Sequence, residues 1–197
     1  MRLFVAVEID AHVVQALADF SAELRRRAAA LAPEARIGWV RPEQLHVTLR
    51  FIGEVKEEQA DAITAALSGA IAVAPFDLVV DAAGAFPERG APRVLWAGIA
   101  GGLERLAELE TEVSERLTRC SIGREDRAYR PHITLARVRE PGRLRSSVLF
   151  ETLAGSEIGT TRVQAITLFQ SRTSPQGAVY TPLSRTPLQP MRRTADE

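Results

Sequence analysis

The chain has 197 residues with 25 basic and 25 acidic side chains, so its formal charge is zero and a uniformly basic nucleic-acid surface is not expected. The hydrophobic fraction of 46% and the charged fraction of 25% are ordinary for a globular domain. No apolar run approaches the roughly 20 residues that cross a bilayer, and the strand-like start does not resemble a signal peptide, so we expect a cytoplasmic protein with no membrane partner.

Strands and helices are predicted to alternate along the chain, because apolar residues alternate in some segments and recur at helical spacing in others. The first part is predicted to contain strands over residues 3–9, from residue 46 onward and over 76–82, with helices over 11–31 and 57–71. Glycines and prolines over residues 84–92 predict a loop, which we interpret as the connection between two halves.

The same order of elements returns in the second part of the chain. Strands are predicted over residues 93–99, 131–138 and 162–171, helices over 103–120 and 144–153, and a last strand over about 178–184. Because the order repeats over about residues 2–84 and 93–171, we predict one bilobal domain over residues 1–184 and a mobile tail over 185–197.

An α+β fold is preferred to a doubly wound parallel sheet, because no glycine-rich phosphate loop follows the first strand. We predict two pseudo-symmetric, antiparallel-rich sheets with helices on their outer faces. Their inner faces would then meet in a central cleft.

A tetrapeptide repeat, His46-Val47-Thr48-Leu49 and His132-Ile133-Thr134-Leu135, contains two of the three histidines of the chain. Side chains alternate between the faces of a strand, so each copy presents an imidazole and a hydroxyl together. One base, one acid and neutral hydrogen-bond donors are what acid–base attack on phosphorus requires. A single strand histidine is more often structural, but the repetition favours catalysis.

The remaining candidate side chains are interpreted as non-catalytic. His12 lies in the first turn of a predicted helix, where the helix dipole disfavours its cation, so a surface role is expected. Cys120, the single cysteine, excludes an intrachain disulfide and has no activating partner in sequence. A zinc hydrolase usually needs three protein ligands, and the two motif histidines have no further ligand beside them, so neither a metal nor another cofactor is expected.

The surroundings of both motifs resemble those of the 2H phosphoesterases, and within them the RNA 2′,3′-cyclic phosphodiesterases, also called bacterial 2′-5′ RNA ligases. The resemblance extends from residue 2 to about residue 184. It is carried by Trp39-Val40-Arg41-Pro42 and Tyr129-Arg130-Pro131 before the two motifs, and by Arg2-Leu3-Phe4-Val5-Ala6, Phe51-Ile52-Gly53-Glu54-Val55, Val94-Leu95-Trp96-Ala97-Gly98 and Ala136-Arg137.

This resemblance implies metal-independent cleavage of an RNA 2′,3′-cyclic phosphate to a 2′-phosphate. By the family pattern, His46 is the proton donor and His132 the proton acceptor, although pseudo-symmetry allows the opposite order. Thr48 and Thr134 would hold the non-bridging oxygens. The resemblance implies an RNA or oligonucleotide end as partner, and we expect a monomer; reverse 2′-5′ ligation stays open.

Arg137 and Phe51 each lie five residues after a motif histidine, so strict alternation places them on the opposite face. Arg137 occupies the place of a phosphate-contacting arginine in the family, which requires a bulge or the strand end to turn it inward. Its alternative is a solvated arginine. Phe51 is expected in the core, with base stacking as the alternative.

Three further residues are candidates for substrate binding. Arg50 shares the face of His46 by alternation, so it is predicted to contact substrate phosphate. Tyr129 and Arg130 precede the second motif and are predicted to line the mouth of the cleft, with plain surface positions as the alternative.

Two other functions stay open. A 2H phosphodiesterase could act on another nucleotide, such as a cyclic ADP-ribose phosphate or a 2′-5′ linkage. A non-catalytic RNA-end binder would have no need for both imidazoles and both hydroxyls, which this chain keeps.

Overall fold

The computed structural model describes residues 1–125, 127–151, 157–174 and 177–189, which contain nine strands, four α-helices and one short 3-10 helix (Pro42–Gln44). The strands are β1 (Arg2–Glu8), β2 (Arg36–Trp39), β3 (His46–Glu54), β4 (Phe76–Phe86), β5 (Val94–Gly101), β6 (His132–Glu140), β7 (Glu157–Val163), β8 (Ala165–Ser174) and β9 (Gly177–Pro187). The helices are α1 (Ala11–Leu31), α2 (Glu57–Ser68), α3 (Leu103–Arg119) and α4 (Ser146–Phe150).

The strands pair antiparallel in the order β7-β4-β5-β6-β3-β1-β8-β9, and β2 pairs with β6. The motif strands β3 and β6 are neighbours in the middle of this order, where Val47 pairs with Ile133. Two antiparallel blocks, β9-β8-β1-β3 and β6-β5-β4-β7, are therefore joined through the two motif strands. The predicted antiparallel α+β fold is confirmed, but the two predicted sheets form one nine-stranded sheet, because β3 and β6 pair with each other.

The hydrophobic core explains why each motif strand has two chemically different faces. Val47 and Leu49 of β3 are buried, and their equivalents Ile133 and Leu135 of β6 are fully buried in the same cluster. Helix α3 contributes Leu106, Leu109, Val113 and Leu117 to this cluster, at the spacing of one helix face. Because the alternate positions of β3 and β6 face away from the core, their polar side chains are left at the surface of the sheet.

The predicted loop over residues 84–92 is only partly correct, because β4 continues to Phe86 and residues 87–93 join it to its antiparallel neighbour β5. Gly84 is a strand glycine that lies against the indole of Trp96, where an added Cβ would come within 2.4 Å of the ring. Strand β4 thus belongs to the block of β5 and β6, while β8 pairs with β1. The loop joins neighbouring strands of one block.

Several other boundaries differ from the predictions. Strand β2 was not predicted, and Gln164 divides the predicted strand over residues 162–171 between β7 and β8. Helix α2 ends earlier than predicted, at Ser68, and the predicted end of α4 at residue 153 lies outside the described residues. Among the described residues, no helix has the length and apolar character of a membrane span.

The prediction of a mobile tail is wrong for residues 185–189. Strand β9 runs to Pro187, and the next residue, Leu188, is buried. Its N–H donates to the carbonyl of Gln164 at 2.8 Å, and the N–H of Gln189 donates to the carbonyl of Ile71 at 2.9 Å. These hydrogen bonds tie the segment to the fold, and residues 190–197 lie outside the described part of the chain.

Candidate active site

The two motif strands bring both histidines and both threonines to one cleft of about 560 Å³, lined among others by His46, Thr48, His132 and Thr134. All four side chains are partly exposed, whereas the residues between them are buried. The predicted juxtaposition of the two motifs follows directly from the pairing of β3 with β6.

Each motif strand has an irregularity immediately after its threonine. In β3, Thr48 is opposite Ala6 and Arg50 is opposite Val5, so Leu49 has no counterpart in β1. The pairing of β6 with β5 likewise omits Leu135. Such a bulge reverses the alternation of side chains beyond it.

These bulges decide where the candidate residues beyond the motifs lie. Arg137 lines the cleft with His132 and Thr134, as the bulge requires. Phe51 also lines the cleft and its side chain is 55% exposed, so the prediction that it belongs to the core is wrong. Arg50 does not line the cleft with His46: it is only 6% exposed, and its Nη2 donates to the carbonyl of Gly123.

Both imidazoles are oriented by the backbone in the same way. The Nδ1 of His46 lies 2.7 Å from the carbonyl of Gln44, and the Nδ1 of His132 lies 2.7 Å from the carbonyl of Arg130. A carbonyl can only accept, so each Nδ1 carries a proton and each Nε2 is the atom left to exchange one. In the neutral form of His46, Nε2 accepts from the hydroxyl of Thr48 at 3.1 Å.

The surroundings of the two imidazoles are unequal. His46 lies among aromatic rings, with centroid distances of 5.0 Å to Phe4 and 5.4 Å to Tyr180. Among the described residues, His132 has one aromatic neighbour, Phe86, whose ring centroid is 5.2 Å away with the two rings nearly perpendicular. His46 is the more deeply buried of the two.

Burial is the main cause that lowers the pKa of both imidazoles below the ordinary histidine value. The positive charge of Arg137 lowers both further, and the charge of His132 also lowers the pKa of His46. The hydrogen bonds to the carbonyls of Gln44 and Arg130 oppose these effects. The site by itself therefore favours neutral imidazoles, and a bound anion would favour their cations.

Tyr129 and Arg130 lie beside the cleft and not in it. The hydroxyl of Tyr129 donates to the carbonyl of Thr48 at 3.1 Å, and burial raises the pKa of Tyr129 above its ordinary value. Arg130 is exposed and pairs with Glu88 at 3.2 Å. Both line a second cavity, which adjoins the cleft.

The residues interpreted as non-catalytic lie elsewhere. His12 bonds the carbonyl of Thr160 through Nε2 at 2.9 Å, and Cys120 follows the end of α3. Neither lines the cleft. Among the described residues, no three side chains of His, Cys, Asp or Glu are grouped so that they could hold a metal ion.

Tyr180 and Phe86 also line the cleft, although they were not predicted from the sequence. Their only signal was their residue type, because both are brought to the histidines by long-range strand pairing. Phe4 could have been found, since it belongs to the segment Arg2-Leu3-Phe4-Val5-Ala6 that carries part of the resemblance.

Comparison with known proteins identifies the family. The sequence model of the LigT-like phosphoesterase family matches residues 12–96 and 100–180. The chain belongs to the LigT-like phosphoesterase family. This confirms the resemblance to the 2H phosphoesterases that the paired motifs indicated.

Curated relatives from this family match nearly the whole chain. A protein of Thermus thermophilus named RNA 2′,3′-cyclic phosphodiesterase is 37% identical over 192 residues, which cover 94% of this chain and 89% of the relative. A protein of the same name from Archaeoglobus fulgidus is 34% identical over 182 residues, which cover 91% and 96% of the two chains.

Solved LigT-like structures share the fold. A protein of Thermus thermophilus superposes with a TM-score of 0.72 at 31% identity, covering 97% of this chain and all of the other. Escherichia coli LigT complexed with 3′-AMP superposes with a TM-score of 0.72 at 27% identity, covering 95% and 97%.

Proposed function

We propose that this protein hydrolyses RNA 2′,3′-cyclic phosphate ends to 2′-phosphate ends. The observation that carries the proposal is the pair of imidazoles in one cleft, each with Nδ1 bonded to a carbonyl and Nε2 available for proton exchange. The relatives named RNA 2′,3′-cyclic phosphodiesterase support the choice of substrate. All of the residues involved come from one chain, so a monomer is expected to carry the complete site.

In the proposed reaction, Nε2 of His132 takes a proton from water as the water oxygen attacks phosphorus. The bond from phosphorus to the 3′ oxygen breaks, and Nε2 of His46 donates its proton to that oxygen. The products are a 2′-phosphate and a 3′-hydroxyl. Each carbonyl bonded to Nδ1 holds its imidazole in position and stabilises the imidazolium form.

The proposed acid, His46, must be protonated, and the bound phosphate supplies the negative charge that favours this form. The anionic diester would raise the pKa of both imidazoles, because an opposite charge nearby favours the cation. The hydroxyls of Thr48 and Thr134 and the guanidinium of Arg137 would donate to the non-bridging oxygens, where charge develops. The hydroxyl of Thr48 is already within hydrogen-bond distance of His46.

The other candidate residues have distinct proposed roles. Phe51 presents a largely exposed ring at the cleft, which suits stacking of a nucleobase. Tyr129 holds the strand carbonyl of Thr48 and is proposed as a positioning residue. Arg50 and Arg130 line the adjoining cavity and not the cleft, so neither is given a role at the reacting phosphate.

Reverse 2′-5′ joining of RNA ends needs no additional catalytic group. A 5′-hydroxyl in the place of water would be deprotonated by the same base, and the 3′ oxygen would leave in the same way. We therefore include joining as a second outcome of the same chemistry.

An oligonucleotide with a 2′,3′-cyclic phosphate end, with the product end mapped, tests the function. The expected product is a 2′-phosphate with a free 3′-hydroxyl, and a 3′-phosphate would contradict the assignment of the leaving oxygen. Parallel reactions with a cyclic ADP-ribose phosphate and with a 2′-5′ linkage test the alternative substrates. Binding of the RNA end without hydrolysis would identify a non-catalytic binder.

A further inference from the structure

A second cavity, of about 670 Å³, opens beside the catalytic cleft. The two share Thr48, Phe51, Phe86 and His132 as lining residues, so they meet at one of the two imidazoles. A ligand that occupied both would extend past the position of the reacting phosphate. The proposed hydrolysis of one terminal phosphate does not by itself use this second cavity.

The walls of the cavity suit a flat ring. Leu49 and Phe51 from β3, Phe86 from β4 and Tyr129 before β6 give it an apolar and aromatic lining. Cavities of this character, with a few polar groups, are typical of small-molecule sites. Helix α3 contributes Glu110, Thr111, Ser114 and Glu115 to the lining.

Arg50 places a buried positive charge at this cavity. It is 6% exposed, its Nη2 donates to the carbonyl of Gly123, and within the described part of the chain its Nε has no hydrogen-bond partner. Among the described residues, no carboxylate forms an ion pair with it. A buried cation without a counter-ion is unfavourable, so an anion in the cavity would offset that cost. Two exposed arginines, Arg124 and Arg127, add positive charge to the same lining.

The cavity also contains carboxylates, which distinguishes it from a simple phosphate pocket. Glu110, Glu115 and Glu125 line it, and Glu110 accepts a hydrogen bond from Ser114 at 2.6 Å. A polyanion with no other chemistry would be repelled by these groups. A nucleotide combines a phosphate for the arginines with a ring for the aromatic walls, and the amino group of its base could donate to a carboxylate.

We propose that this cavity binds the nucleotide that precedes the cyclic phosphate end of an RNA substrate. Its base packs against the aromatic walls, and the phosphodiester that links it to the terminal nucleotide lies near Arg50. The inference rests on the proposed function, because it assumes that the terminal cyclic phosphate reacts in the cleft. It assigns the enzyme a preference for RNA ends of two or more nucleotides over cyclic mononucleotides.

The test compares kcat/KM for a nucleoside 2′,3′-cyclic phosphate with kcat/KM for a dinucleotide that carries the same end. We expect the dinucleotide to be hydrolysed about tenfold better, the order expected for one base stacked on aromatic side chains. Thr111→Trp, at an exposed position of α3, should fill the cavity and bring this ratio towards one, with unchanged hydrolysis of the mononucleotide. An Arg124→Ala, Arg127→Ala double variant should also lower the ratio.

Matched controls keep these outcomes interpretable. Thr118 is exposed on the same helix and bonds the carbonyl four residues earlier, as Thr111 does, but it does not line the cavity. Thr118→Trp should therefore keep the dinucleotide preference. Arg105→Ala, also on α3 and outside the cavity, is the control for the double variant.

A ratio near one in the unmodified protein, or a ratio unchanged by Thr111→Trp, would overturn the assignment. If the variants alter only joining to an oligonucleotide with a 5′-hydroxyl, the cavity serves a second RNA and the assignment is also overturned. If neither cyclic phosphate is hydrolysed, the proposed function fails. Calorimetric titration then tests the binding site independently of hydrolysis. It compares the affinities of a dinucleotide and a mononucleotide that both end in a 2′-phosphate, in the unmodified protein and in the same variants.

Discussion

Replacing Arg137 with alanine removes a cation from the lining of the cleft that contains His132 and Thr134. A hydrogen bond between a charged donor and phosphate contributes about 1.5–3 kcal/mol, which corresponds to a factor of roughly 10 to 100 in rate. Arg137 is exposed, so solvent screens its charge and the lower end of that range applies. We therefore expect kcat/KM for a nucleoside 2′,3′-cyclic phosphate to fall about tenfold.

The same variant should move the pH profile of kcat/KM. Arg137 lowers the pKa of both imidazoles, so its removal raises both pKa values. The acidic limb requires a deprotonated base and the alkaline limb a protonated acid, so both limbs should move to higher pH. Loss of a binding contact alone would lower the profile without moving it.

The assay measures initial rates at substrate concentrations below KM across the pH range, with Arg139→Ala as the matched control. Arg139 is exposed, lies two residues further along β6 and does not line the cleft. Equal losses in the two variants would refute the role in phosphate binding. A profile of the Arg137 variant that stays in place or moves to lower pH would refute the electrostatic argument.

Four further predictions concern the catalytic groups. His46→Ala and His132→Ala should each lower turnover by roughly 10²–10⁴-fold while thermal unfolding is unchanged, and full activity in either folded variant would exclude a mechanism with two imidazoles. Thr48→Val and Thr134→Val should cost at least as much as the loss of Arg137, because each removes a donor at nearly constant shape, and unchanged rates would contradict this. Activity should survive exhaustive chelation, and a loss that one added metal restores would require a different mechanism. The optimum of kcat/KM should lie below about pH 6.5, the ordinary histidine pKa, because burial lowers both values, and an optimum well above it would contradict the electrostatics.

The local spacing of apolar and polar residues was sufficient to predict elements that show this spacing within their own sequence. Helix α1 begins and ends where the spacing of its apolar residues predicted, and the alternation of His46 with Thr48 held because both precede the bulge. The predicted sides of strand β3 were wrong for Arg50 and Phe51, which follow Leu49. A bulge arises from the pairing of β3 with β1, and no local pattern in β3 reports it.

Long-range pairing also explains the other differences. The glycines and prolines over residues 84–92 were interpreted as one loop, but Gly84 serves the close approach of a strand to Trp96. That contact depends on β5, which comes later in the chain. Tyr180 reaches His46 only because β8 and β9 follow β1 in the sheet. Propensity within a window of residues contains no information about such partners.

The repeat provides the two imidazoles, but the reaction needs them to differ, because one must be protonated while the other is neutral. The differences lie outside the repeated tetrapeptides: Phe51 and Arg137 occupy equivalent positions, and His46 has more aromatic neighbours than His132.

The two imidazoles are coupled in the free site. Burial lowers the pKa of both, and the charge of His132 lowers the pKa of His46 further. Our assignment of His46 as the acid therefore requires the bound phosphate, whose negative charge favours the cationic form of His46. The two single variants decide between this assignment and the opposite one: if His132 is the base, His132→Ala should remove the acidic limb of the pH profile and His46→Ala the alkaline one.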